Sequence, residues 1–269
     1  MQKSLQFQNK SISYWTEGKG KPLMLVHGFA EDHGIWANQV AHLQDQFQLI
    51  LPDLPGSGKS DLLNDVSMEN MAEVLKAILD QESIQNCSMI GHSMGGYTTL
   101  AFAEKNANRL NSFCLFHSSA YPDNDEKKQT RLKAIEFMKK NGVEEFLKTA
   151  IPNLFAMGEA NDNAGSKQKM VKKLIEEYKD FEVQALIAYY EAMMKRPDRT
   201  SVLKSFTKPI LFLLGKYDTA VPYQQGIEQA RSAKNGEVHT LHQSGHMGMW
   251  EEKDQSNQVL EAFFKNNVG

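Results

Sequence analysis

The chain has 269 residues, of which 41% are hydrophobic and 23% charged, with 18 Gly and 8 Pro. Those proportions exclude the disordered, collagen-like and coiled-coil classes. Thirty Lys and Arg against 33 Asp and Glu leave a net charge of −3, which gives nucleic acid or an anionic membrane surface no electrostatic attraction.

The first ten residues hold no apolar leader core, and no later run approaches membrane-spanning length, so a cytoplasmic protein is expected. Residues 5–17 alternate polar and apolar side chains around Asn9-Lys10 and read as an antiparallel hairpin. Short apolar runs follow at 23–26, 49–51, 89–90 (extended by Cys87), 113–116 and 210–214, with a weaker one at 238–241. Between them lie helix-period stretches at 35–46, 68–81, 98–106, 224–232 and 255–266. Strands apolar on both faces, alternating with helices, predict an α/β architecture: an open, mostly parallel sheet covered on both sides. Cys87 and Cys114 fall inside strand runs. Two cysteines make no disulfide framework, and they read as buried thiols in a reducing compartment.

The alternation breaks between residues 121 and 205, which are helix-like and carry the chain's densest charge. The expected organisation is a core of residues 1–120 and 206–269 with a helical cap inserted at 121–205. The cap's charges read as solvated helix faces, and residues 153–166, with two Gly and three Asn, read as a loop between cap helices.

The sharpest local signal is Gly91-His92-Ser93-Met94-Gly95-Gly96, between a strand and a helix. A G-x-S-x-G turn of this kind holds its serine in a strained conformation, hydroxyl outward, at a helix N-terminus; the plain alternative is a glycine-rich turn without chemistry. A serine nucleophile needs a base and the base needs an orienting acid. Of eight histidines, His239 and His242 belong to the last strand, His33 and His42 to the first helical region, and His117 to a strand end. His27 and His92 adjoin motif positions and read as packing or hydrogen-bonding groups rather than as a metal-ligand pair. His246, in Ser244-Gly245-His246-Met247-Gly248, occupies a loop after a strand, where open α/β sheets hold their ligands. Asp218, after the 210–214 strand, is the first choice of acid, though it also reads as a turn residue. Asp123 is the second.

The segment Gly56-Ser57-Gly58-Lys59-Ser60 imitates a phosphate-binding loop, but the glycine required five positions before Gly58 is Asp53, whose charge repels phosphate. No HExxH and no Cys/His cluster points to a metal.

The order Ser93, Asp218, His246, each after a strand, resembles the α/β-hydrolase fold across nearly the whole chain. The resemblance implies a Ser-His-Asp triad that needs no cofactor or metal. His27-Gly28-Phe29 matches the family's oxyanion segment, which implies the backbone N–H groups of Phe29 and Met94 as oxyanion donors. The segment from Asp53 to Ser60 matches a recurrent structural loop. Haloalkane dehalogenases and epoxide hydrolases of this fold use aspartate at the elbow, so Ser93 points away from them. The expected activity is hydrolysis of a small or medium carboxylic ester through an acyl-enzyme. C–C bond hydrolysis, thioester hydrolysis, lyase or synthase work on the same triad, and low-turnover ligand binding are the alternatives. C–C hydrolases often carry Trp after the catalytic His, where this chain has Met247. Among the cap aromatics, Phe137, Phe146, Phe155, Tyr189 and Tyr190 read as wall or cap core. An apolar roof favours neutral acyl groups over half-esters; the opposite preference gives Arg131 or Arg196 a binding role.

Overall fold

The computed structural model describes residues 1–156 and 164–267. β1 (Gln2–Phe7) and β2 (Lys10–Glu17) form the hairpin, closed by Gln8 and Asn9 at φ of 51° and 62°. Two left-handed residues give the turn the twist that suits paired strands. β3 (Lys21–Val26) passes through a 3-10 turn, His33–Trp36, into α1 (Ala37–Leu43) and β4 (Phe47–Pro52). The periodic stretch at 35–46 is therefore a helix entered through a tighter turn, because the Asp32 carboxylate accepts from the Gly34 amide and winds the first residues up. α2 (Met68–Gln81), β5 (Cys87–His92), α3 (Met94–Asn106) and β6 (Leu110–Phe116) complete the first half. α2 shows the pattern at its plainest: Ser67 caps it, and Met71, Ala72, Val74, Leu75, Ile78 and Leu79 bury one face.

Helices then replace the alternation: α4 (Asp125–Asn141), α5 (Val143–Ala150), a 3-10 turn (Ile151–Leu154), α6 (Ala164–Tyr178), α7 (Val183–Lys195) and α8 (Thr200–Ser205). Of the loop read at 153–166, residues 157–163 lie outside the described residues, and its two ends belong to helical turns. β7 (Ile210–Gly215), α9 (Tyr223–Ser232), β8 (Gly236–Leu241), α10 (Gly248–Glu251) and α11 (Lys253–Asn267) close the chain.

The eight strands make one sheet in the order β1-β2-β4-β3-β5-β6-β7-β8, antiparallel across β1-β2 and β2-β4 and parallel from β4 onward. β5 and β7 are buried along their whole length, whereas β8 is exposed over its first half, as an edge strand must be. Parallel strands end on one side. Val26, Pro52, His92, Phe116, Gly215 and Leu241 therefore deliver the loops that follow them to the same edge of the sheet, where such sheets gather ligands. Among the described residues no helix is long and apolar enough to cross a membrane.

Candidate active site

Ser93 joins β5 to α3 with φ 50° and ψ −115°, a region that side-chain-bearing residues enter only under constraint. The constraint comes from packing. A Cβ on Gly95 would lie 2.2 Å from the Val26 carbonyl, and one on Gly91 would lie 2.6 Å from the Gly96 Cα, so the elbow closes only with glycine at both places. The Ser93 amide donates to Phe116 O at 3.0 Å, and Ser118 Oγ donates to Ser93 O at 2.7 Å. These bonds fix the backbone while Ser93 stays half-exposed.

The loop after β7 carries Asp218, and the loop after β8 carries His246. Asp218 does two things at once. Its Oδ1 accepts from the Ala220 and Val221 amides at 2.8 and 2.9 Å, shaping the turn. Its Oδ2 meets His246 Nδ1 at 2.8 Å. Burial alone would raise its pKa, but the charge and hydrogen bond of His246, with help from His117 and the Val221 amide, hold it below the usual carboxylate value. With Nδ1 directed at Asp218, the imidazole keeps Nε2 for the cavity that His246 lines together with Ser93. Asp123, the second choice of acid, bonds to Arg131 and Arg196 instead.

Phe29 lines the same cavity, and Met94 is the first residue of α3. The loop holding Phe29 passes close to the elbow: a Cβ on Gly28 would meet Ser93 Cβ at 3.2 Å. Glu31, which sequence reasoning missed, closes this loop by accepting from the Gly28 amide at 2.6 Å. Its Oε2 also lies 3.0 Å from His92 Nδ1, while His92 Nε2 lies 3.0 Å from His246 O. A carbonyl and a carboxylate only accept, so His92 carries a proton on each nitrogen. Burial alone would lower its pKa, and the charge and hydrogen bond of Glu31 raise it instead. This buried pair thus links the segments that hold Phe29, Ser93 and His246. His117 was also missed. Fully buried and pushed well below the usual histidine value by that burial, it fits between the Gly215 and Gly248 amides, 3.1 Å from each. Only its position at a strand end marked it in advance.

His27 donates from Nδ1 to Gly28 O at 2.9 Å and accepts the Leu54 amide on Nε2 at 2.9 Å, so it ties the segment after β4 to the Gly28 loop. Asp53 fills the imitation phosphate loop itself: its Oδ2 accepts the Lys59 amide at 2.8 Å. Asp32, His33 and Asp53 bring three donor atoms within 4.8 Å of one another. Those atoms already serve a hydrogen-bonded turn, through His33 Nδ1 to Asp53 at 2.8 Å and Asp32 to the Gly34 amide at 2.8 Å.

The cavity between Ser93 and His246 holds about 160 Å³, and an apolar chamber of about 90 Å³ adjoins it across Phe29, Glu31, Leu154 and Tyr190. A larger cleft of about 630 Å³ between residues 56–62 and 177–182 contains none of Ser93, Asp218 and His246, and size alone does not make it the reactive site. Of the aromatics read as wall, Tyr190 lines both chambers and stacks on Phe29 at 4.2 Å, and Phe146 lines the apolar one. Tyr189 bonds to Pro55 O and Ser57, Phe155 is buried, and Phe137 is 38% exposed and is no wall residue. The cap cations also depart from expectation. Arg196 and Arg199 are buried rather than solvated, and Arg131 lines the Ser93 cavity, because carboxylates waiting on neighbouring elements draw them inward.

The model of the alpha/beta hydrolase fold matches residues 21–253. The chain is 26% identical to a 2-hydroxy-6-oxononadienedioate/2-hydroxy-6-oxononatrienedioate hydrolase of Paraburkholderia phymatum, over 94% of this chain and 90% of that one. It is 25% identical to 3-oxoadipate enol-lactonase 1 of Acinetobacter baylyi, over 96% and 95%. Among solved structures it superposes on a malate-bound thermophilic esterase from Thermogutta terrifontis with a TM-score of 0.91, at 25% identity, with all of both chains covered.

Proposed function

The chain belongs to the alpha/beta hydrolase family, and from that premise we propose that it is a serine hydrolase cleaving a small carboxylic ester. The observation that carries this reading is the 2.8 Å contact of His246 Nδ1 with Asp218 Oδ2, behind a cavity that His246 shares with Ser93. Ser93 Oγ attacks the ester carbonyl and passes its proton to His246 Nε2, while Asp218 holds the ring in that tautomer. The Phe29 and Met94 amides take the oxyanion, aided by the N-terminus of α3. His246 returns the proton to the leaving alcohol, and a water activated by the same ring releases the acid from Ser93. Residues 121–205 act as a cap over a core of residues 1–120 and 206–269. A cavity of about 160 Å³ is below the range of sites for drug-sized ligands and favours a short acyl group.

The relatives' names support a second reading on the same residues, hydrolysis of an enol-lactone or of a 2-hydroxy-6-oxo dienedioate. Purified protein assayed against esters, thioesters, lactones and ring-cleavage products separates the two. The serine assignment is tested by a fluorophosphonate probe with mass spectrometric mapping. Rapid labelling of Ser93 alone is expected; an adduct elsewhere, or none, overturns it.

A further inference from the structure

Two guanidinium groups and one carboxylate form a cluster of which one member, Arg131, lines the Ser93 cavity. Asp123, buried between them, accepts from Arg131 Nε at 2.5 Å and Nη2 at 3.3 Å, and from Arg196 Nη1 at 2.8 Å. Burial alone would raise the Asp123 carboxyl, but both arginines hold it below its usual value, so it stays ionised. One negative charge against two positive ones leaves a surplus cation. The surplus belongs to Arg131. Arg196 gives two further N–H groups to Met193 O and Tyr121 O, leaves its buried Nε without a hydrogen-bond partner, and stacks on Tyr97, 3.9 Å from the ring centroid, outside the lining of the Ser93 cavity. Arg131, among the described residues, makes its hydrogen bonds to Asp123 alone, which leaves three of its five N–H groups unspent. It lines the cavity with Ser93, His246 and Tyr97. The other wall charge, Glu31, is already matched by His92.

We propose that Arg131 receives a carboxylate of the substrate, so that the enzyme acts on short half-esters, with the acid group at Arg131 and the reacting carbonyl at Ser93. A guanidinium offers a carboxylate a planar, paired match, and here the match restores neutrality in a confined space. The apolar chamber beyond Phe29 and Tyr190 suits an uncharged part of the same molecule. The proposal reverses the neutral-acyl preference that cap composition implies, and it rests on the serine hydrolase reading only for the bond that is cleaved.

The test compares kcat/KM for monomethyl succinate and methyl butyrate, which differ in little but the terminal carboxylate. Wild type should favour the half-ester, and Arg131→Gln should lower the half-ester to neutral-ester ratio by about 10- to 100-fold, the worth of a charge-assisted hydrogen bond. Arg131→Lys should recover part of that ratio. Equal or better turnover of methyl butyrate by wild type, or an unchanged ratio in Arg131→Gln, overturns the proposal. Calorimetry with succinate makes the answer independent of turnover. Binding by wild type that is lost in Arg131→Gln supports the subsite even if neither ester is cleaved, which would refute the ester reading alone; absence of succinate binding overturns the subsite.

Discussion

His92 is the residue between a glycine and the proposed nucleophile, and its environment makes it a buried cation. Removing only its partner should therefore be costly. Glu31→Gln leaves an uncompensated charge beside Ser93 and should destabilise the fold by about 3 kcal/mol near neutral pH. The pH dependence has two sides. The raised His92 pKa contributes stability below the ordinary value of 6.5 and loses it as pH climbs through the raised one. The lowered Glu31 pKa contributes above the ordinary 4.5 and loses it as pH falls through the lowered one. Denaturant unfolding of both proteins across pH should show the gap widest between those limits; a gap that does not change with pH contradicts the ion pair. Asp218→Asn, by contrast, should keep the fold, since Oδ1 still accepts two amides, yet lower turnover roughly 10³- to 10⁴-fold by favouring the wrong His246 tautomer. Activity within a few-fold of wild type removes Asp218 from the mechanism. The placement of Ser93, Asp218 and His246 along one edge of the sheet was legible because each follows a strand that sequence reveals. Glu31 and His117 were not, because Glu31 meets a partner 61 residues away and His117 partners 98 and 131 residues away, and nothing local announces the meeting.

At the scale of elements, α10 holds the His246 loop through one side chain. Glu251 Oε2 accepts the Gly245 and Met247 amides at 2.9 and 3.3 Å, and its Oε1 accepts the Ala156 amide at 2.7 Å. Burial outweighs these bonds and pushes its pKa up to about 7. A carboxyl raised in this way keeps its proton in the fold after the unfolded chain has lost it, so stability falls as pH rises from about 4.5 to about 7. Glu251→Gln removes that titration. Relative to wild type it should gain up to about 3 kcal/mol between pH 5 and pH 8, read from urea midpoints, and a pH-independent difference would falsify the assignment. The elements themselves divide by how their pattern arises. α2 was read to its ends because a capping serine and a regular apolar stripe coincide. The short turns at His33–Trp36 and Ile151–Leu154 escaped, because a 3-10 turn leaves no stripe long enough to see.

Across the whole molecule, the sheet was legible because doubly buried strands must be apolar throughout, and the inserted helices were legible as helices. Which of their side chains turn inward was not, since that depends on groups presented by the sheet's loops. Contacts that fasten the insertion to the core include Arg199 to Glu69 and Glu104, Arg196 over the Tyr97 ring, and Tyr189 to the loop after β4. Tyr189→Phe loses the 2.7 Å bonds to Pro55 O and Ser57 Oγ and should cost about 1–3 kcal/mol, with KM rising more than kcat falls if the insertion forms the binding wall; an unchanged melting temperature contradicts this anchoring. The same architecture bears on transplantation. The His246 amide donates to Leu154 O at 2.6 Å, and a Cβ on Gly245 would meet that same oxygen at 2.7 Å. The inserted helices therefore supply part of the seat for the proposed base, and they are not an interchangeable roof. A chimera that replaces residues 121–205 wholesale with another hydrolase's helices loses that seat, while one that retains residues 151–156 keeps it. Recombination within this family should accordingly succeed at crossover points inside the helical region and fail at its outer borders.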